Sequence, residues 1–198
     1  MDARTTTKAI WRKFHVHPYD NLPFEGWWQS TRETTLYETF AELGFKVGAE
    51  IGVRRGTNAI VLFQKIPGLK LYCVDPWIPY LRDTVDKQEG HLAACKRQLA
   101  GQNAVFMRMF STDAAREFED ESLDFVYIDS NHIFDCVMED LICWTPKVKK
   151  GGIIAGHDYY HFFAGGVVHA VDAFTMANNI TKFYITREKE HSFLWVKE

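Results

Sequence analysis

From Val47 onward, short apolar runs alternate with longer amphipathic ones, and that rhythm constrains the fold more than any other feature of the chain. Val47–Ile51, residues 69–74, Ala104–Met107, Leu123–Ile128 and residues 153–156 read as five strands. Thr57–Lys65, residues 80–99, the stretch opened by Ser111, Phe134–Trp144 and residues 167–176 read as the helices that follow them. Within residues 80–99, Leu81, Val85, Leu92, Cys95 and Leu99 recur at sums of three and four, as one buried helical face requires. Phe134, Val137, Met138, Leu141 and Trp144 do the same, and Pro146 ends their helix. The Ser111 hydroxyl can accept an orphan backbone N–H and cap its helix. Units of this kind demand a parallel sheet with helices on both faces, because each parallel return needs a crossover. Residues 182–186 and 192–196 flank a polar turn and close the chain as an antiparallel hairpin. The expectation is an α/β fold whose sheet has seven strands, mostly parallel.

Residues 1–46 stand outside the rhythm and read as an aromatic-rich N-terminal cap on a domain spanning residues 47–198. They carry Trp11, Phe14, Tyr19, Phe24, Trp27 and Trp28, with Pro18 and Pro23. The chain has 198 residues, enough for one continuous core without staples. Its net charge of −3 and the lack of any basic run longer than Lys149-Lys150 argue against a nucleic-acid partner. Cys73, Cys95, Cys136 and Cys143 form no CxxC pair and read as reduced, buried thiols. The first residues carry no apolar signal core, and no stretch approaches the ~20 apolar residues of a membrane span. The expected setting is cytoplasmic.

In an open parallel sheet, ligands bind where the strands end. That rule selects residues 50–56, 75–77, 111–113, 129–132 and 157–160, which should share one crevice. Gly52 and Gly56 lack Cβ atoms, so the backbone between them can turn sharply and approach a ligand. Their spacing is G-x-x-x-G rather than the G-x-G-x-x-G of dinucleotide sites, and no lysine completes a phosphate loop. Glu50, two residues ahead, would repel phosphate and attract an ammonium group. Asp75 ends the second strand, where an acid can accept both ribose hydroxyls, or it simply caps the next element. Trp77 offers an aromatic face for a purine, with burial beneath the next helix as the alternative. Ser111 and Thr112 either reach an adenine edge or cap their helix. Together these favour adenosine plus an ammonium group, without a pyrophosphate.

Four segments then resemble, in order, the motifs of class I S-adenosylmethionine-dependent methyltransferases. They are Glu50-Ile51-Gly52-Val53-Arg54-Arg55-Gly56, Val74-Asp75-Pro76-Trp77, the run from Asp124 through Asp129 to His132, and the run from Lys149 through Gly156 to Tyr159. The resemblance is strongest to the small-molecule branch near sugar and antibiotic O-methyltransferases, and it implies a Rossmann-like sheet. By that resemblance, Glu50, Gly52, Val53, Arg54 and Gly56 cradle the methionine half of S-adenosyl-L-methionine. Asp75 binds its ribose, Trp77 lies beside the adenine, and Ser111, Thr112 and Asp113 reach the adenine rim. Asp129 lies beside the sulfonium and the acceptor.

A hydroxyl acceptor needs a base, or a metal that lowers its pKa. His132 and His157 are the candidate bases, with His161 third; each has a structural hydrogen bond as its alternative role. Asp129 and Asp158 end strands expected to be neighbours and form a candidate Mg²⁺ site, and histidine beside them also suits Mn²⁺, Fe²⁺ or Zn²⁺. Metal-dependent relatives pair Asp-Asp or Asp-Asn where this chain has His157-Asp158. Tyr159, Tyr160, Phe162 and Phe163 form either an aromatic wall over a small-molecule acceptor or a packing or homodimer contact, and Gly165-Gly166 gives their loop freedom. Two other functions compete: a catalytically silent S-adenosylmethionine-binding module, and an NAD-dependent oxidoreductase.

Overall fold

The computed structural model describes residues 2–16, 23–26, 29–80, 83–161 and 163–198. Pro18, Tyr19, Trp27, Trp28, Leu81 and Phe162 lie outside the described residues, as does the side chain of Phe163. The strands are β1 (Phe24–Glu25), β2 (Val47–Ile51), β3 (Lys70–Val74), β4 (Ala104–Met107), β5 (Leu123–Ile128), β6 (Val148–Gly156), β7 (Phe183–Ile185) and β8 (Phe193–Val196). The helices are α1 (Ala3–Phe14), α2 (Tyr37–Glu42), α3 (Thr57–Lys65), α4 (Val85–Gln98), α5 (Ser111–Arg116), α6 (Phe134–Trp144) and α7 (Gly166–Ala177). The strands form one sheet in the order β1-β7-β8-β6-β5-β2-β3-β4. Only β8 runs antiparallel to its neighbours, β6 and β7. Buried side chains of α1 to α4 pack on one face, and those of α5 to α7 on the other.

The sheet has eight strands where the sequence pattern predicts seven. The additional strand is β1, whose Phe24 and Glu25 pair parallel with Tyr184 and Ile185. Two residues are too few to show a period, so no strand signal precedes Val47. The segment is tied down further by Thr6, whose hydroxyl donates to the Gly151 carbonyl at 2.7 Å, and by the Trp11 indole N–H, which donates to the Tyr184 hydroxyl at 2.7 Å.

Three local expectations change. The helix expected from residue 80 starts at Val85, capped by Thr84, whose hydroxyl accepts from the Lys87 N–H. Its buried face carries Gln88 and His91 above Leu92 and Cys95, while Val85 is exposed. Ser111 does not cap α5: Phe110 holds the cap position, and the Ser111 hydroxyl accepts from the Trp144 indole at 2.7 Å. Phe134 is exposed at the start of α6, and Cys136 and Cys143 on that helix are only half-buried.

Candidate functional site

The chain runs from β2 outward to β3 and β4, then returns to the other side of β2 as β5 and β6. The reversal between β2 and β5 is where a crevice opens in a sheet of this kind. The two strand ends are fastened there: the Asp129 N–H donates to the Ile51 carbonyl at 2.8 Å. Gly52 leaves β2 with φ +93°, and a Cβ there would stand 2.0 Å from the Asp129 carbonyl oxygen. What presses on Gly52 is therefore the protein's own backbone. Gly56, at φ +79°, takes the cap position of α3, and its missing Cβ makes room for Cys95. Between them Val53 is buried in the core and Arg54 is exposed.

Asp75 follows β3 and accepts two backbone N–H groups, from Arg54 at 2.9 Å and from Trp77 at 2.7 Å. Burial raises its pKa despite those bonds. Trp77 is 1% exposed, and its indole N–H donates to the Arg54 carbonyl at 2.7 Å. The indole thus braces the 50–56 turn from below and presents no open face. Ser111 is held by Trp144 and lies beside Asp140, while Thr112 is half-buried and Asp113 pairs with Arg116 at the surface.

The register Ile128↔Gly156 sets Asp129 beside His157, and the turn after β6 brings Asp158 next to them at φ +59°. His132 Nε2 lies 2.6 Å from Asp158 Oδ2 and 3.9 Å from Asp129 Oδ1. His157 Nδ1 lies 3.3 Å from Asp158 Oδ1 and 3.8 Å from Asp129 Oδ1. Hydrogen bonding to Asp129 and Asp158 pushes His132 up to about 9. Burial alone would raise Asp158, but the bonds and charge of His132 and His157 hold it well below the usual carboxylate range. Ligand atoms of Asp129, His132 and Asp158 lie within 4.8 Å of one another, close enough to share a cation. His161 is exposed and packs edge-on to His169. Tyr159 is 9% exposed, donates to Asp172 at 2.7 Å and packs on Phe183 and Phe193, so its ring belongs to the core.

Glu50 is 1% exposed. Its Oε1 accepts from the Asn58 amide at 3.3 Å, and its Oε2 has no hydrogen-bond partner among the described residues. Burial, then repulsion from Asp129, pushes its pKa up to about 8.

Three polar residues with no pattern in the sequence also reach this region. Asp140, buried on α6, accepts from the Ser130 hydroxyl at 2.5 Å and lies in hydrogen-bond contact with Ser111. It therefore braces the loops after β4 and β5 together. His91 on α4 is 2% exposed with neither ring nitrogen partnered among the described residues, and burial lowers its pKa. Arg32 opens a π-helical turn, Arg32–Leu36, and its guanidinium faces the hydroxyls of Tyr127 and Tyr37. No sequence period marks single polar residues like these; only the tertiary fold collects them.

Residues 49–159, more than half of the chain, match the model of a methyltransferase domain family, and the chain belongs to that family. It is a class I S-adenosylmethionine-dependent methyltransferase. No curated protein sequence matches it. Among solved structures it is similar to a Staphylococcus aureus protein assigned as a caffeoyl-CoA O-methyltransferase, at 12% identity, TM-score 0.67, covering 100% of this chain and 93% of the other. A Klebsiella pneumoniae protein assigned as an O-methyltransferase aligns at 13% identity and TM-score 0.61, covering 99% and 90%. A Clostridium thermocellum protein assigned as an rRNA methylase aligns at 12% identity and TM-score 0.61, covering 82% and 96%. At such identities the likeness establishes the fold. Since one fold serves both RNA and small molecules, the acceptor must be argued from the site. The buried Glu50 oxygen, without a hydrogen-bond partner among the described residues, fits the cofactor, because an α-ammonium would give it a charged one.

No helix among the described residues is long and apolar enough to cross a membrane.

Proposed function

We propose that the chain transfers a methyl group from S-adenosyl-L-methionine to the oxygen of a small hydroxylated acceptor, a sugar or similar metabolite. The observation that carries this reading is the convergence of Asp129, His132, His157 and Asp158 at the ends of two adjacent strands, beside the 50–56 turn. The cofactor, when bound, supplies a methyl already activated by its positive sulfur. The chain must then supply alignment and a destination for the hydroxyl proton. Glu50, Gly52, Val53, Arg54 and Gly56 would hold the methionine half, Asp75 the ribose, and Ser111 and Thr112 the adenine rim, above the Trp77 brace. His132 is charged at neutral pH and so acts as a donor, fixing Asp129 and Asp158. His157 accepts the hydrogen bond of the incoming hydroxyl and takes its single proton, and Asp129, 3.8 Å from His157 Nδ1, stands beside the ring that receives it.

The test is S-adenosylhomocysteine formation over a panel of sugars, phenols, amines and RNA, with S-adenosylhomocysteine binding measured beside it. Turnover confined to hydroxyl acceptors, and lost in His157→Ala, supports the reading. Turnover confined to amines or RNA overturns it, and tight binding without any turnover supports the silent module instead.

A second reading rests on one observation, the convergence of Asp129, His132 and Asp158. A divalent ion such as Mg²⁺ or Mn²⁺ held there would lower the hydroxyl pKa in place of a base. Activity unchanged by thorough chelation would remove it.

A further inference from the structure

The turn Arg32–Leu36 is π-helical, a conformation that is rare and concentrated at functional sites. Its N-terminal end is fixed twice. Thr31 forms a reciprocal capping box with Thr34, and the Arg32 backbone N–H donates to both oxygens of Glu188 at 3.2 Å each. Glu188 accepts from the Ser192 hydroxyl at 3.0 Å, and that hydroxyl lies 2.9 Å from the Tyr127 hydroxyl. Tyr127 meets Tyr37 edge-on, and Tyr37 donates to Asn58 at 2.5 Å, which donates in turn to Glu50. Two runs of hydrogen bonds, joined at the Tyr127–Tyr37 ring contact, therefore link the N-terminal segment to the buried acid of the turn.

At its two ends sit groups of complementary chemistry, an acid and a guanidinium, the latter hydrogen-bonded to Tyr127. The Glu50 Oε2 oxygen has no hydrogen-bond partner, and the half-buried Arg32 guanidinium forms no ion pair within 4.0 Å among the described residues. Both nonetheless lie within electrostatic reach of each other and of Asp129. A guanidinium offers five donors in a fixed fork suited to a carboxylate. A buried acid oxygen without a partner and a fork without an ion pair, near enough for the acid to feel the charge of the fork, suit the two ends of a zwitterion.

We infer that Arg32 binds the α-carboxylate of the cofactor's methionine tail while Glu50 binds its α-ammonium, so that the N-terminal segment completes the cofactor site. This rests on the cofactor reading above. A carboxylate on the acceptor has the same chemistry, and the ligands chosen below distinguish the two.

The test is calorimetric binding of S-adenosylhomocysteine, which keeps the amino-acid tail, and of 5′-methylthioadenosine, which lacks it. Arg32→Gln should weaken S-adenosylhomocysteine about 10- to 100-fold, as expected for a lost charged hydrogen bond. It should leave 5′-methylthioadenosine unchanged, and Arg32→Lys should recover part of the loss. Thermal unfolding of each variant confirms that it is folded. Equal weakening of both ligands, or no weakening of either, overturns the inference. So does a normal S-adenosylhomocysteine affinity combined with a raised KM for anionic acceptors only. If the unaltered protein binds neither ligand, the cofactor reading itself fails.

Discussion

His132 Nε2 and Asp158 Oδ2 stand 2.6 Å apart, joining the loop after β5 to the loop after β6. In the folded protein His132 titrates at about 9 rather than the usual 6.5, while Asp158 is depressed below its usual 3.8. A raised histidine contributes stability that is complete below its unfolded value and disappears as pH rises through the folded one. A depressed aspartate contributes above its unfolded value and loses the contribution as pH falls. The pair is therefore at full strength from about pH 4 to 6.5 and weakens toward 9. The expected result is a His132 ring resonance with its midpoint near 9 in the metal-free protein. The denaturation profile of His132→Asn should converge on that of the unaltered protein above that pH. A midpoint near 6.5 would show that the pairing is not maintained in solution.

Glu50 produces a different signature. Burial and Asp129 push it up to about 8 from 4.5, so the empty protein holds a proton there at neutral pH. Because the folded value is the higher one, ionisation works against the fold, and stability declines between the two values as pH rises. An ammonium ligand favours the ionised form, so binding at pH 7 should expel that proton. Calorimetry in buffers of differing ionisation enthalpy should register the release, with little left at pH 9 and none in Glu50→Gln. The same variant should bind S-adenosylhomocysteine roughly 10- to 100-fold more weakly. Proton release that persists in Glu50→Gln would move the titrating group elsewhere.

The contrast between these acids and their surroundings marks what a sequence can disclose. β2, β5 and β6 are legible because apolar runs ending in Gly52, Asp129 and His157 combine a strand signal with a chemical one. The same logic leaves Trp77 and Tyr159 open between two roles, since an aromatic ring in a loop after a strand looks alike whether it faces a ligand or the core, and both prove buried. Ser111 shows the converse, a plausible cap engaged by Trp144 from 33 residues away. Arg32, His91 and Asp140 acquire their positions from contacts between distant segments, which leave no period to read.

Asp140 illustrates how much such a contact can matter. It is 3% exposed and holds serines from two loops that border the crevice. Asp140→Ala would leave both hydroxyls without their acceptor, and a buried polar group left unsatisfied costs about 1–3 kcal/mol. Urea denaturation should show a loss of that order. Amide exchange should quicken in residues 111–113 and 129–132 while the β2 core stays protected. Uniform quickening across the sheet would mean that Asp140 supports the fold at large rather than these two loops.

Gly52 and Gly44 separate backbone strain from steric approach. Both have positive φ, at +93° and +72°, so alanine carries a left-handed penalty of about 1–2 kcal/mol at either position. At Gly44 a new Cβ meets nothing within 4 Å, whereas at Gly52 it would overlap the Asp129 carbonyl at 2.0 Å. That carbonyl cannot retreat freely, because the Asp129 N–H is bonded to Ile51 on the strand Gly52 leaves. Relief requires the ends of β2 and β5 to part, and forced overpacking of this sort costs about 1–3 kcal/mol beyond the shared penalty. Gly52→Ala should therefore be the less stable of the two by that margin. It should also lose S-adenosylhomocysteine binding, since the same parting displaces Asp129 from the turn, while Gly44→Ala binds normally. Equal stability in the two variants would mean that the close approach of Asp129 to Gly52 does not govern the geometry of the crevice.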